Sequence, residues 1–496
     1  GDDLMRPQLC EEAMRLGRIL AELMQGEGEV HGLVALMEIQ ASRMRARIGP
    51  DGAISAGSPW DETYGRMCCM TDTTRSEDRA AEIASAAHAW FEANWDPELT
   101  LGEWWHRLAE SGYGFPTWPV DRYGLGVDPH DAPLILAARR AVGALGPPAG
   151  IAPNLAGPTL IAHGTSEQQN RFLPGIVHGE VWCQLFSEPG SGSDLASLQT
   201  RAVRDGDQWI VNGQKVWTSG AHIARYGILV ARTDPTVPKH RGLTYFVIDM
   251  DQPGIEVRPI REITGRAIFN EVFLTDAVVP VENMIDAVGS GWGVALTTLA
   301  NERTMLGAGS FGSSGGGMSI TKPDFDRRVG DLARDIEPTT GTPAGGVGAL
   351  LRGLLEQYGK GDDPLIRQEY ATIHSLLEIA RYTDLRVKAA VERGGRPGPE
   401  VSIGKLAASH LLRSLRETMY RVCGADATLW GNDAPLGGRM HDVGFSSYLI
   451  SIGGGTDQIQ RNIIGERVLG LPGEPRVDKD VSFNDLLVGT QRPPTG

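Results

Sequence analysis

The sequence predicts a mainly α chain with a central antiparallel β domain, and three changes of pattern carry that expectation. From Asp72 to about Gly179 apolar residues recur at helical spacing; between about Val181 and Asp286 short β-rich runs take over; from about Val288 the helical period returns. Helices and strands are segregated here, not alternated as in a βαβ protein. The expected division is a helical extension over 1–69, an N-terminal helical domain over 70–180, a middle β domain over 181–286, a C-terminal helical domain over 287–478 and a tail over 479–496.

Residues 1–69 stand outside the three-part pattern. Leu16, Ile19, Leu20 and Leu23 share a helical face, Gly26-Glu27-Gly28 interrupts it, and Leu33, Leu36 and Met37 open a second helix. Met70 begins a run that reads as a natural start, so the extension is either a fusion or a start placed too early; the residues leave the two equal. In the next domain Ala81, Ile83, Ala86, Ala89 and Phe91 supply an apolar face, which Trp104, Trp105 and Leu108 continue. Thr165, with Gln168 three residues on, has the form of a capping box. Trp105 and Trp118 are expected in the core, with a substrate-tunnel wall as the alternative.

The middle domain reads as the strands VWCQLF, TRAVR, WIVNG, QKVWTS, YGILVAR, LTYFVIDM, IEVRPI and NEVFLTDAVV. Asn212-Gly213 reads as the two-residue turn of a hairpin. No G-x-G-x-x-G follows a strand, which argues against a Rossmann nicotinamide domain. Further on, GSFGSSGGGMSI and EPTTGTPAGGVG flank a charged segment with Asp324, Asp326, Arg327 and Arg328, expected to be a mobile surface insertion, with a lid over a pocket as the alternative. A helix through Ile373, Leu376, Leu377 and Ala380 and two later helical runs fit a bundle, and the residues after about Pro475 are polar and expected to be loosely held.

At 496 residues the chain has room for about three domains of ordinary size. Its 62 Asp and Glu outnumber 47 Lys and Arg for a formal charge of -15, which argues against a nucleic-acid surface. Five scattered cysteines give neither a zinc spacing nor a disulfide framework, so a reducing cytoplasm is the expected location and no metal is expected. No apolar run is long enough to span a membrane.

Two stretches carry chemistry. In QLFSEPGSGSD, Gly190 and Gly192 with Ser187, Ser191 and Ser193 can form a loop that cradles phosphate, or a plain turn. Trp217, Thr218 and Ser219 set a flat ring beside two hydroxyls, a surface for a planar heterocycle or a piece of core. In the helix AVGSGWGVALTTLANERTMLG, Trp292, Ala295, Leu296, Leu299 and Leu306 form an apolar stripe that contains Glu302. A charge on such a face needs a partner or a function.

FSEPGSGSD, NGQKVWTS and the C-terminal GGGTDQIQRNIIGERVLGLP resemble the signatures of the acyl-CoA dehydrogenase family, over about Met70 to about Pro475. The resemblance implies FAD as cofactor, an acyl-CoA thioester as substrate, its dehydrogenation to the trans-2-enoyl-CoA, an electron-transferring flavoprotein as acceptor, and a homo- or heteromeric dimer or tetramer. It assigns FAD contacts to Gln184, Phe186, Ser187, Ser193, Trp217, Ser219, Thr456 and Gln458, and substrate contacts to Ser193 and Arg303. Thr456 by itself also reads as a helix cap, and the glycines before it open a helix N-terminus that suits an anionic phosphate.

The reaction needs a carboxylate to take the α proton. In many members that Glu directly precedes the Gly-Thr of the last signature, where this sequence has Gly454, which cannot take a proton. The isovaleryl and long-chain branches place it at the position matching Glu302, the expected catalytic base, with a structural Glu302–Arg303 ion pair as the alternative. Leu355 stands where relatives carry an Arg that reaches a neighbour's flavin, and Arg421 where a Gln often lies. These departures imply a rival reading, a non-catalytic subunit that supports a partner's flavin site; an acyl-CoA oxidase is a close variant. LGRILAELM and EVHGLVALM resemble a helical fragment of extracytoplasmic-function-type sigma factors, over that piece alone and without a DNA-reading helix.

Overall fold

The computed structural model describes residues 73–129, 131–307, 322–333, 347–392, 398–399, 401–474 and 478–486. The expectations for the 1–69 extension, and for the glycine-rich runs at 309–320 and 337–346, lie outside them. Of the residues up to Glu82, those described form the start of one helix; the rest of the described chain falls within Ile83–Gly496.

Among the described residues five α-helices come first: α1 (Thr73–Asn94), α2 (Leu101–Ser111), α3 (Ala132–Val142), α4 (Gly157–His163) and α5 (Ser166–Val177). Thr165 caps α5 in a box with Gln168, as its spacing predicts, and Thr100 does the same for α2 with Glu103. Gln168 also reaches out of the box, donating to the carbonyls of Glu282 and Met284 at 2.8 and 2.7 Å, so one amide ties the helical layer to the end of the sheet. Trp105 and Trp118 are buried, in keeping with the core reading. The Trp104 and Trp105 indoles donate to the carbonyls of Leu145 and Gly146 at 2.9 and 3.0 Å, which removes the cost of burying two N–H groups.

The middle region is an eight-stranded sheet: β1 (Trp182–Leu185), β2 (Arg201–Asp205), β3 (Gln208–Ser219), β4 (Tyr226–Arg232), β5 (Leu243–Asp249), β6 (Ile255–Pro259), β7 (Phe269–Pro280) and β8 (Met284–Ile285), ordered β6-β7-β3-β2-β4-β5-β8 with β1 on β4. Most pairs are antiparallel, but β1 runs parallel to β4, as β2 does at one register point, so the sheet is mixed and not purely antiparallel. Each inner face has its own apolar cluster, one built on Phe186, Tyr245 and Val294, the other on Trp209, Phe246 and Val272.

The Asn212-Gly213 hairpin is not formed. β3 runs straight through both residues, and the turn falls earlier, at Gly206-Asp207 between β2 and β3, with Gly206 at φ 62°. What Asn212-Gly213 makes is an irregularity against β7. A Cβ on Gly213 would lie 2.3 Å from the Thr200 hydroxyl, so close approach, not a turn, calls for glycine. Asn212 spans the irregularity, donating to Asp276 at 2.9 Å and accepting the Asp276 N–H at 3.0 Å.

The C-terminal region adds α6 (Gly291–Gly307), α7 (Val347–Gln357), α8 (Pro364–Glu392), α9 (Val401–Cys423), α10 (Arg439–Ile452) and α11 (Asp457–Ile463). Leu351, Ile373, Leu415 and Met419 centre the bundle core. Two expectations need correction. The charged segment is not a free excursion: Val329 and Leu332 are fully buried with Trp104 and Leu108, and Leu101 N–H donates to Arg327 C=O at 2.9 Å. Its apolar side chains, with Phe325 edge-on to Trp105 at 5.6 Å, carry more weight than its charges, of which Asp326 and Arg328 are exposed. Nor are residues 478–486 loose: Phe483 lies 3.4 Å from the Arg232 guanidinium, Lys239 pairs with Asp478 at 2.6 Å, and Phe483 N–H donates to Val237 C=O at 3.0 Å. No described helix is long and apolar enough to cross a membrane.

Candidate functional site

The stretch after β1 is shaped by one buried ion pair. Glu188 accepts the N–H groups of Gln199 and Thr200 at 2.7 and 2.9 Å and the Lys215 ammonium at 2.8 Å. Lys215, wholly buried in β3, also donates to the carbonyls of Phe186 and Val230 at 3.0 and 2.9 Å. Burial alone would raise the Glu188 carboxyl; Lys215 and the hydrogen bonds outweigh it and hold the group below the usual carboxylate range. The pair fixes the start of the Gly/Ser loop to β3.

Further along β3 the strand departs from its ladder between Lys215 and Thr218. Trp217 takes a left-handed backbone, φ 60°, uncommon for a bulky residue. Trp217 is 59% exposed, and its indole meets Phe269 edge-on at 6.0 Å. Thr218, between Trp217 and the half-buried Ser219, is buried. Asn270 of β7, also buried, donates to Thr218 C=O at 2.9 Å. Thr218 Oγ1 and Asn270 Oδ1 find no hydrogen-bond partner among the described residues. Asn270 escapes sequence reading; its only signal is an amide inside a strand otherwise rich in apolar residues.

The structure brings Gln184 and Glu302 together. Gln184 Nε2 donates to Glu302 Oε2 at 3.4 Å, across 118 positions of sequence, joining the loop stretch to α6. Both side chains are half-buried. α6 is held against the sheet by Val294 and Ala295 in the core and by Thr298, whose hydroxyl meets Tyr245 and Thr159 at 3.0 and 2.9 Å. Of the predicted stripe, Ala295, Leu299 and Trp292 face the core, whereas Leu296 is exposed. The expectations for the Arg303 and Leu306 side chains lie outside the described residues.

The other predicted residues are placed as follows. Phe186 is core, edge-on to Tyr245 at 5.9 Å; Ser187 is half-buried, and its carbonyl accepts the Val216 N–H at 2.9 Å; Ser193 is exposed on the loop. Thr456 caps α11 through Ile459 N–H at 3.2 Å, and Gln458 is exposed in the first turn. Lys405 and Arg413 of α9 neutralise Asp457 beside them. Gly454 and Gly455 have φ of 64° and 87°, so a left-handed backbone stands where the glutamate of the resembling signature would be. Leu355 packs against the bundle core, and Arg421 pairs with Glu369 of α8.

Residues 74–180, 183–277 and 355–469 match the N-terminal, middle and C-terminal domains of acyl-CoA dehydrogenases, and residues 1–63 match a family of unknown function. Among curated relatives, the chain is 39% identical over 370 residues to "Acyl-CoA dehydrogenase FadE34" of Mycobacterium tuberculosis, covering 74% of this chain and 45% of that protein, so it spans less than half of that relative's length. It is 37% identical over 380 residues to "Acyl-CoA dehydrogenase IpdE1" of the same organism, covering 75% of this chain and 88% of that one. Among solved structures it resembles a "Tcur3481-Tcur3483 steroid ACAD" (TM-score 0.60, 27% identity, 80% of this chain and 98% of that chain) and the "ChsE4-ChsE5 complex from Mycobacterium tuberculosis" (TM-score 0.60, 26% identity, 80% and 98%).

Proposed function

The chain belongs to the acyl-CoA dehydrogenase family, flavoprotein oxidoreductases of lipid metabolism, and from that premise we propose that it oxidises an acyl-CoA thioester between its α and β carbons to the trans-2-enoyl-CoA, with Glu302 as the base. The cofactor of this family is FAD. The residues present fit it: an indole turned out by a strained strand position, beside a hydroxyl, offers an uncovered planar surface of the kind a flavin ring packs on. Trp217 and Ser219 would hold the ring, and Ser187 and Ser193 the loop side of the cofactor. FAD supplies, when bound, the acceptor for the β hydrogen and its electron pair.

The observation that carries the assignment of the base is the Gln184–Glu302 hydrogen bond. It aims a carboxylate from α6 at the same stretch that presents the flavin-facing residues, which is where an α proton must be taken. Glu302 accepts that proton at a carboxylate oxygen, and Gln184 keeps the carboxylate oriented until it does. The experiment is anaerobic titration of the yellow protein with acyl-CoA thioesters, including steroid side-chain thioesters, since a steroid ACAD is among the structural neighbours. Glu302→Gln keeps the flavin and loses bleaching by substrate; full bleaching in that variant refutes the assignment.

Two observations favour a second reading. Gly454 and its left-handed backbone leave the commonest base position without a carboxylate, and Leu355, packed at the bundle core, replaces the residue that reaches a neighbour's flavin. On that reading the chain works in a heteromeric complex and completes a partner's flavin site. A colourless protein when purified alone, turning yellow on co-expression with a second dehydrogenase-like chain, would favour it over the first reading. An electron-transferring flavoprotein is the proposed acceptor for the reduced enzyme and the cytoplasm the proposed location.

A further inference from the structure

His106 and Glu110 lie four residues apart on α2, so their side chains leave one face of the helix a turn apart. His178 directly follows α5 as its C-cap. The two helices meet there tightly: Gly179 has φ 92°, and a Cβ on it would lie 2.2 Å from the Trp105 ring, next to His106. His106 Nδ1 and His178 Nε2 stand 3.1 Å apart, and one ligand atom from each of the two histidines and Glu110 falls within 4.8 Å of the others. None of the three takes part in the flavin site.

We propose that His106, Glu110 and His178 form a binding site for a divalent transition ion of the zinc type. Two metal–nitrogen bonds of about 2.05 Å across a 3.1 Å separation subtend roughly 98° at the ion, between the right angle of an octahedral site and the tetrahedral angle. Two imidazoles and a carboxylate are the ligand set that zinc, cobalt and nickel share, with water completing the shell. The carbonyl end of α5 points its negative dipole toward His178, which favours a cation there. The backbone positions of all three ligands are set by packing that needs no ion: the α2 capping box, Trp104 and Trp105 in the core, and Gly179 against Trp105. A bound ion therefore ties α2 to α5 without reshaping either helix.

The competing arrangement is a hydrogen bond between the two rings, one N–H donating to the other nitrogen, and the test separates the two. The 496-residue chain is treated with a chelator, dialysed and titrated calorimetrically with Zn²⁺. One ion per chain is expected, with affinity weakened at least about tenfold in both His106→Ala and His178→Ala, a smaller loss in Glu110→Gln, and no change in His374→Ala, whose imidazole is exposed elsewhere. Far-UV circular dichroism and flavin absorbance, unchanged in the variants, show that the fold is kept. Zn²⁺ should also raise the thermal midpoint of the parent protein and not that of His178→Ala. Binding that survives both histidine variants, or no binding by the parent at 100-fold excess of Zn²⁺ over protein, overturns the site.

Discussion

Replacing Lys215 by Met tests the brace under β3, the strand that carries Trp217 and Ser219. The ammonium sits in full burial, 2.8 Å from Glu188 and donating to two carbonyls. Methionine fills much of the volume but makes none of those bonds, so Glu188 loses its ammonium partner while keeping the Gln199 and Thr200 N–H groups and the more distant Arg232 charge, and two carbonyls lose a donor. Breaking a buried pair from one side costs about 3–5 kcal/mol, and unpairing two carbonyls in the same spot overlaps with that figure and does not add to it. Glu188→Gln, which keeps one acceptor oxygen, should cost less. The double variant should cost less than the two singles together, with a coupling of about 2 kcal/mol, because the second change removes the charge that the first left stranded. Urea titration followed by circular dichroism, with flavin release recorded alongside, measures all four proteins. Additivity to within about 0.5 kcal/mol would mean that the two charges do not stabilise each other and would refute the reasoning.

The same pair gives a pH dependence. Glu188 is held below its ordinary value in the fold, so its share of stability is complete above the unfolded carboxylate pKa of about 4.3 and is lost as pH falls through the lower folded value; acid titration of the parent should show this loss, and Glu188→Gln should not. Trp217→Ala should weaken flavin retention while moving the apo-protein midpoint far less than a core Trp104→Ala change, which should cost about 3–5 kcal/mol, since one indole is exposed and the other buried; paired melting curves and flavin absorbance check it. Gly454→Ala should destabilise by about 1 kcal/mol because φ is 64°, and a melting temperature equal to the parent's would contradict that backbone.

Much of the site could be read from sequence because it consists of short continuous runs. Trp217-Thr218-Ser219 and the Gly/Ser loop each lie within a few residues, and the capping box at Thr165 needs only residues three apart. Such features are set by local chemistry, which the chain states directly. Asn212-Gly213 shows where local chemistry misleads: the dipeptide is a strong turn former, yet the glycine is needed for the close approach of Thr200, thirteen positions earlier, and the amide for Asp276, sixty-four positions later. Charge in the 322–333 segment misled in the same way, because Phe325, Val329 and Leu332 decided its position.

The amino-acid sequence by itself determined the order of helical, strand and helical regions, the residues proposed to face the flavin and the glycine at position 454, since each depends on residue type at a fixed short spacing. Only the tertiary structure decided that Glu302 meets Gln184, that Lys215 braces Glu188, and that His178 comes beside His106 and Glu110. The physical reason is common to all three. Each joins side chains from separate elements, and what brings those elements together is burial of apolar surface, a force without direction, which fixes partners only once the whole chain has packed.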